Sequence, residues 1–290
     1  MKIYITITFI LVSFLLSFSG FSQNSKGNRK HKELTERQRY AEADLFSKGL
    51  IAKEIGNLQE ALELFEQALD INPDDAVAHY EAARILAALG RVDESLVEAK
   101  KATALNSDNI WFKAYYAKVT RINENYDEYV KAYEELVEDN PSDLTFLYEL
   151  AFAYQFTGDY KHAITAYDKI ENIIGVNERI IKQKTEFYTK IGNPAKGIAE
   201  YEKLIATNSD DSRYYALMAE YCSKNNIDDK AVWAYEKIVE IDPDDPYVHI
   251  SLADFYDKRG IKEKSFDELK KGLANPVLDL KTKINLLVGY

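Results

Sequence analysis

The strongest constraint on this chain is a period. A small residue returns every 34 positions, at Gly49, Ala83, Ala117, Ala151, Thr185, Ala219 and Ala253. Seven positions after each stands Gly56, Gly90, Glu124, Gly158, Gly192, Asn226 or Gly260. A register that runs through seven units without an inserted residue implies a stack in which each unit buries its apolar face against the next. Length alone, at 290 residues, allows two ordinary domains, but the unbroken period favours one continuous core.

Within a unit the spacing predicts two helices. The Gly49 series falls in the middle of the first, where a small side chain admits a close neighbour. The Gly56 series ends that helix, because glycine tolerates the left-handed backbone that a helix C-terminus commonly needs, and asparagine is the next best substitute. In the second helix Ala61, Phe65 and Ala68 share one face by their four- and three-residue steps. The Phe65 position continues as Ala99, Tyr133, Tyr167, Tyr201, Tyr235 and Leu269, mostly large residues suited to wedging between layers. Units close on breakers such as Asn72-Pro73-Asp74-Asp75, Asn140-Pro141-Ser142-Asp143 and Asp242-Pro243-Asp244-Asp245. The last Asp of each is placed to cap the following helix, and Pro246 suits a first helical turn. Capping, rather than calcium binding, is the expected role of the Asp-rich turn.

These residues resemble the tetratricopeptide repeat family over 41–276. The match is strong at Gly49, Ala61, Phe65, Ala68 and Pro73 of the first unit, and departs from the pattern at Glu124, Tyr129 and Gly197. The resemblance implies an all-α, right-handed superhelical solenoid of about seven helix-turn-helix repeats over 35–276. It also implies a non-enzymatic protein-interaction scaffold whose first helices line a concave groove. The family's carboxylate-clamp pattern is absent, since the corresponding positions hold Phe46, Leu50, Glu81, Trp111 and Tyr115.

The ends differ from the repeats. Residues 1–22 join a short basic start to an apolar run and then Gly20-Phe21-Ser22, the plan of a secretory signal, with an uncleaved anchor as the rival reading. Residues 23–34 form a tail carrying Lys26, Arg29, Lys30 and Lys32, with nothing to bury and so expected to be disordered. Thr35 and Gln38 offer a capping box for the first helix. Residues 277–290 predict a terminal helix, either a cap or the start of a further repeat. The expected location is the periplasm or the cell surface.

Projecting the unit register onto the groove selects Lys53, Tyr80, Arg84, Trp111, Lys118, Arg121, Tyr148 and Phe152 as partner-binding residues. In the later units it selects Arg179, Lys182, Glu186, Arg213, Glu220, Tyr247, Asp254 and Asp257, so that the groove is expected to be basic and aromatic near the amino end and acidic near the carboxyl end. In a chain of net charge −11, cations converging on one face predict an acidic or carboxylate-bearing protein or peptide partner, with Tyr80 and Trp111 as flat contact surface. The opposing expectation pairs these cations with neighbouring glutamates and packs Trp111 between units. The overall charge opposes nucleic acid. His31, His79, His162 and His249 lack zinc spacing, and there is no phosphate loop or nucleophile elbow, so no catalytic residue, metal or cofactor is expected. His79 and His249 share a unit position, which favours helix packing. Cys222 falls on an apolar register and is expected to be a buried packing residue. Two other readings stay open: a self-assembling structural solenoid, and the sensing front part of a longer envelope protein.

Overall fold

The computed structural model describes residues 33–289. The expected signal peptide and nearly all of the expected basic tail lie outside these residues. Seven helical pairs follow one another: α1 (Glu36–Glu54) with α2 (Leu58–Ile71), α3 (Ala76–Ala88) with α4 (Val92–Leu105), and α5 (Ile110–Ile122) with α6 (Tyr126–Asp139). Next come α7 (Leu144–Thr157) with α8 (Tyr160–Ile174), α9 (Glu178–Lys190) with α10 (Pro194–Thr207), α11 (Ser212–Lys224) with α12 (Asp228–Ile241), and α13 (Pro246–Lys258) with α14 (Lys262–Ala274). A further helix, α15 (Leu280–Gly289), comes last. Extensive contacts join helices that are neighbours in sequence, the one-dimensional packing of an all-α repeat solenoid.

Local chemistry accounts for the boundaries. Thr35 caps α1 and forms the full capping box with Gln38. Asp75, Asp143 and Asp245 accept backbone hydrogen bonds at the starts of α3, α7 and α13, and Asn109, Asn177 and Asp211 do so for α5, α9 and α11. Each first helix ends in a left-handed residue at the Gly56 register, including Glu124 at φ 56° and Asn226 at φ 57°. The unit geometry therefore persists where the sequence departs from glycine, with Glu124 held in a conformation that costs an L-residue about 1–2 kcal/mol.

Between the paired helices the small-residue register is buried at every unit, and so is the whole Phe65 series. A β-carbon on Gly49 would sit 3.0 Å from the ring of Phe65, so the large residue of one helix fills the notch left by the small residue of the other. Cys222 is wholly buried, as its register predicts, and burial pushes its thiol up to about 11, away from nucleophilic use. His79 and His249 are also buried and hydrogen-bonded to Glu98 and Glu268 of the neighbouring second helices.

Two units break the apolar pattern, the first with Lys48, whose side chain is exposed and paired with Asp44, and the fifth with a buried lysine. At the position where the fourth, sixth and seventh units carry Leu150, Met218 and Leu252, the fifth carries Lys184, which is 0% exposed. Its ammonium lies 2.6 Å from Asp168, 2.7 Å from Glu171 and 2.7 Å from Glu200. Burial alone would depress its pKa, but these three carboxylates hold it above the ordinary lysine value.

Candidate functional site

The positions selected by register lie on a common face of the first helices, and the structure divides them into two groups. In the first, Lys53 of α1 and Arg84 of α3 converge on Glu81, at 2.9 Å and 3.2 Å. Glu81 is buried, Lys53 is largely covered beside it, and Arg84 pairs from the rim with its side chain 45% exposed. Tyr80 is half-buried in the same cluster. Its ring lies 5.0 Å from that of Phe112 and 5.3 Å from that of Tyr115, with the Arg84 guanidinium 5.5 Å from its centroid. Burial raises the Tyr80 hydroxyl, with Arg84 opposing. This part of the predicted site forms ion pairs and ring contacts within and between units. The sequence carried a signal for it, because Glu81 stands three residues before Arg84, a helical ion-pair spacing.

The second group is open. On α5, Trp111 is 73% exposed, against the expectation that it packs between units. Lys118 and Arg121, about two and three turns beyond Trp111 along the helix, are exposed and make no ion pair among the described residues. Across from them on α7, Phe152 is 41% exposed and Tyr148 is half-buried, its ring 6.2 Å from that of Tyr167. Arg179 at the start of α9 is likewise exposed and unpaired among the described residues.

Charge accounting along α3, α5, α7, α9, α11 and α13 sharpens the contrast. Every carboxylate on these six helices has a partner. Glu81 is taken as above, and Glu149 accepts a hydrogen bond from the buried Tyr129 hydroxyl, which burial and this carboxylate together push above the ordinary tyrosine value. Glu178 and Glu186 pair with Lys182 and Lys190. Farther along, Glu220, Asp254 and Asp257 pair with Lys224, Lys258 and Lys262. The acidic end that the register predicts is thus neutralised from within. Among the cations of these helices only Lys118, Arg121 and Arg179 lack an ion pair to a described residue. The free charge on this face is positive, although the chain as a whole is negative.

Among the described residues, no group of three or more His, Cys, Asp and Glu is placed to hold a metal, and no helix is long and apolar enough to cross a membrane.

Two family models, each described as tetratricopeptide repeat, match residues 54–119 and 144–174. No curated protein matches the chain. Among solved structures, the chain is similar to one in the structure of Naa15/Naa10 bound to HypK-THB, at 20% identity and a TM-score of 0.59, over 85% of this chain and 39% of that one. It is similar to YrrB, described as a TPR protein with an unusual peptide-binding site, at 16% identity and a TM-score of 0.50, over 65% of this chain and 95% of YrrB. MamA protein resembles it at 15% identity and a TM-score of 0.50, over 61% of this chain and 96% of that one. At these identities the likeness concerns the fold.

Proposed function

We propose that this chain, a tetratricopeptide repeat protein and by its repeats a protein-interaction scaffold, holds a partner segment along the exposed face of its first helices, with α5 as the anchor. The observation that carries this reading is the coincidence on one helix face of an indole 73% exposed to water with two uncompensated cations, Lys118 and Arg121. Exposed tryptophan and arginine dominate binding energy where partners meet, and a free guanidinium is suited to bidentate pairing with a carboxylate. The peptide-binding site ascribed to YrrB supports this use of the fold. The partner is an acidic protein or peptide, and the role is non-enzymatic, with no cofactor. Residues 1–22 would direct the chain to the periplasm or the cell surface, and the mass of the protein recovered from that compartment, with or without those residues, tests export separately.

Fluorescence anisotropy with a labelled array of acidic peptides tests the binding reading. Peptides that bind the parent are expected to lose at least tenfold in affinity with Trp111→Ala and with the double variant Lys118→Glu, Arg121→Glu, while helicity stays equal. Because Arg84 is bound to Glu81, Arg84→Gln is expected to change peptide affinity less than twofold. Peptides held equally by the parent and by the α5 variants would defeat the reading.

A further inference from the structure

Along α3, α5, α7, α9, α11 and α13 the three cations without an ion pair to a described residue are not together. Lys118 and Arg121 are on α5 and Arg179 is on α9, with α7 and its partly exposed Tyr148 and Phe152 between them. The aromatic pair is tied to the second cation through Tyr167: the Arg179 charge acts on the Tyr167 hydroxyl, and the Tyr167 ring neighbours that of Tyr148. Arg121 acts in the same way on Tyr133, the residue one unit before Tyr167. The face therefore presents charge, then aromatic surface, then charge.

Packed helix axes lie about 8–10 Å apart; α5, α7 and α9 make their main contacts with the second helices between them rather than with one another, so two unit steps from α5 to α9 cover more than about 20 Å. Lys118 and Arg179 also differ by seven register positions along their helices, which adds about 10 Å at right angles. The diagonal is then at least about 20–25 Å, and an extended chain at about 3.3 Å per residue needs at least about six or seven residues to cross it.

We propose that the occupant is an extended peptide segment with two acidic side chains at least about six residues apart and an apolar or aromatic residue midway. One acid meets Lys118 and Arg121, the middle residue rests on Tyr148 and Phe152, and the other acid meets Arg179. This rests on the binding reading given above and adds spacing and a second anchor to it. A single cluster of acids would satisfy α5 and leave Arg179 idle. Paired acids at the wider spacing use all three cations, and each terminal charge then contributes separately, since sites this far apart are nearly additive.

The test uses the full chain and fluorescent, C-terminally amidated synthetic peptides of twelve residues, so that no terminal carboxylate competes. One carries two glutamates six residues apart around a central phenylalanine, and another carries the same residues with the glutamates two apart. The wide peptide is expected to bind at least tenfold more tightly. Arg179→Glu is expected to remove that advantage, and replacing one of the two glutamates by lysine is expected to restore it. Replacing the other is expected to rescue Lys118→Glu, Arg121→Glu instead, which also reports the direction of the bound segment. Arg179 is exposed, and unchanged circular dichroism confirms that its variant is folded.

Equal binding of wide and narrow peptides, with dependence on Trp111 intact, would overturn the spacing and leave the α5 anchor standing. If neither peptide binds and Trp111→Ala changes nothing with the peptide array, both readings fall. A single-stranded oligonucleotide that binds more tightly than the wide peptide would overturn the peptide assignment.

Discussion

The hydroxyl of Tyr221 occupies the space into which a side chain on Gly197 would grow: a β-carbon there would lie 2.0 Å from the hydroxyl oxygen. The hydroxyl is also held, donating to the carbonyl of Pro194 at 3.3 Å and accepting from Thr189 at 3.2 Å. Two units earlier the same register reverses the sizes. Tyr129 stands where Gly197 does, and Ala153 stands where Tyr221 does; both are completely buried in one core cluster. The volume between a second helix and the next first helix is filled from one side in the third unit and from the other in the fifth.

Gly197→Ala is therefore expected to lose about 1–3 kcal/mol, the usual cost of overpacking, although alanine is the ordinary residue of this register. Adding Tyr221→Val, the residue found at Val119, is expected to recover part of that loss. A double-mutant cycle by urea denaturation measures the coupling, and strict additivity would contradict the account.

Glu124 keeps a left-handed backbone that six of the seven units give to glycine or asparagine. Glu124→Gly is expected to raise stability by about 0.5–1 kcal/mol, and Gly158→Ala to lower it by a similar amount. The denaturation midpoints should move in opposite directions.

Lys184 is a buried cation among three carboxylates. Lys184→Met, although it copies Met218, leaves those acids uncompensated and is expected to cost about 3–5 kcal/mol. Combining it with Glu171→Val and Glu200→Ala, the residues seen at Val137 and Ala166, is expected to return most of the loss. Thermal unfolding of the single and triple variants decides this; a triple variant no better than the single would show that the charge was not the cause.

Glu98 and Glu268 repeat one arrangement five units apart. Each accepts hydrogen bonds from a buried histidine, His79 or His249, and from a lysine, Lys101 or Lys271. Burial pushes both carboxyl groups up, but these bonds and charges outweigh it and hold them below the ordinary value of 4.5. A depressed carboxyl stabilises the fold above its unfolded value and ceases to do so as pH falls through its folded value. The stability gap between the parent and Glu98→Gln is thus expected to be full at pH 6 and to shrink below about pH 4.5. A gap that stays constant down to pH 3 would refute this linkage.

The helices, their caps and the left-handed turns were legible in the sequence because each depends on local sterics and on spacing along one chain. Thr35 with Gln38, the Asp75 series and the Gly56 series needed no partner from elsewhere. The period likewise placed Cys222 and the Phe65 series in the core. The functional charges were not legible to the same depth. Lys53 and Arg121 stand on corresponding lining positions of the sequence pattern, yet one is bound to Glu81 across a unit boundary and the other makes no ion pair to a described residue. Such a difference is set by packing that brings residues 28 apart to 2.9 Å, and Coulomb attraction changes steeply over those few ångströms. The exchange of volume between Tyr129 and Gly197, and the burial of Lys184, likewise came from neighbouring units meeting face to face, which a one-dimensional register does not encode.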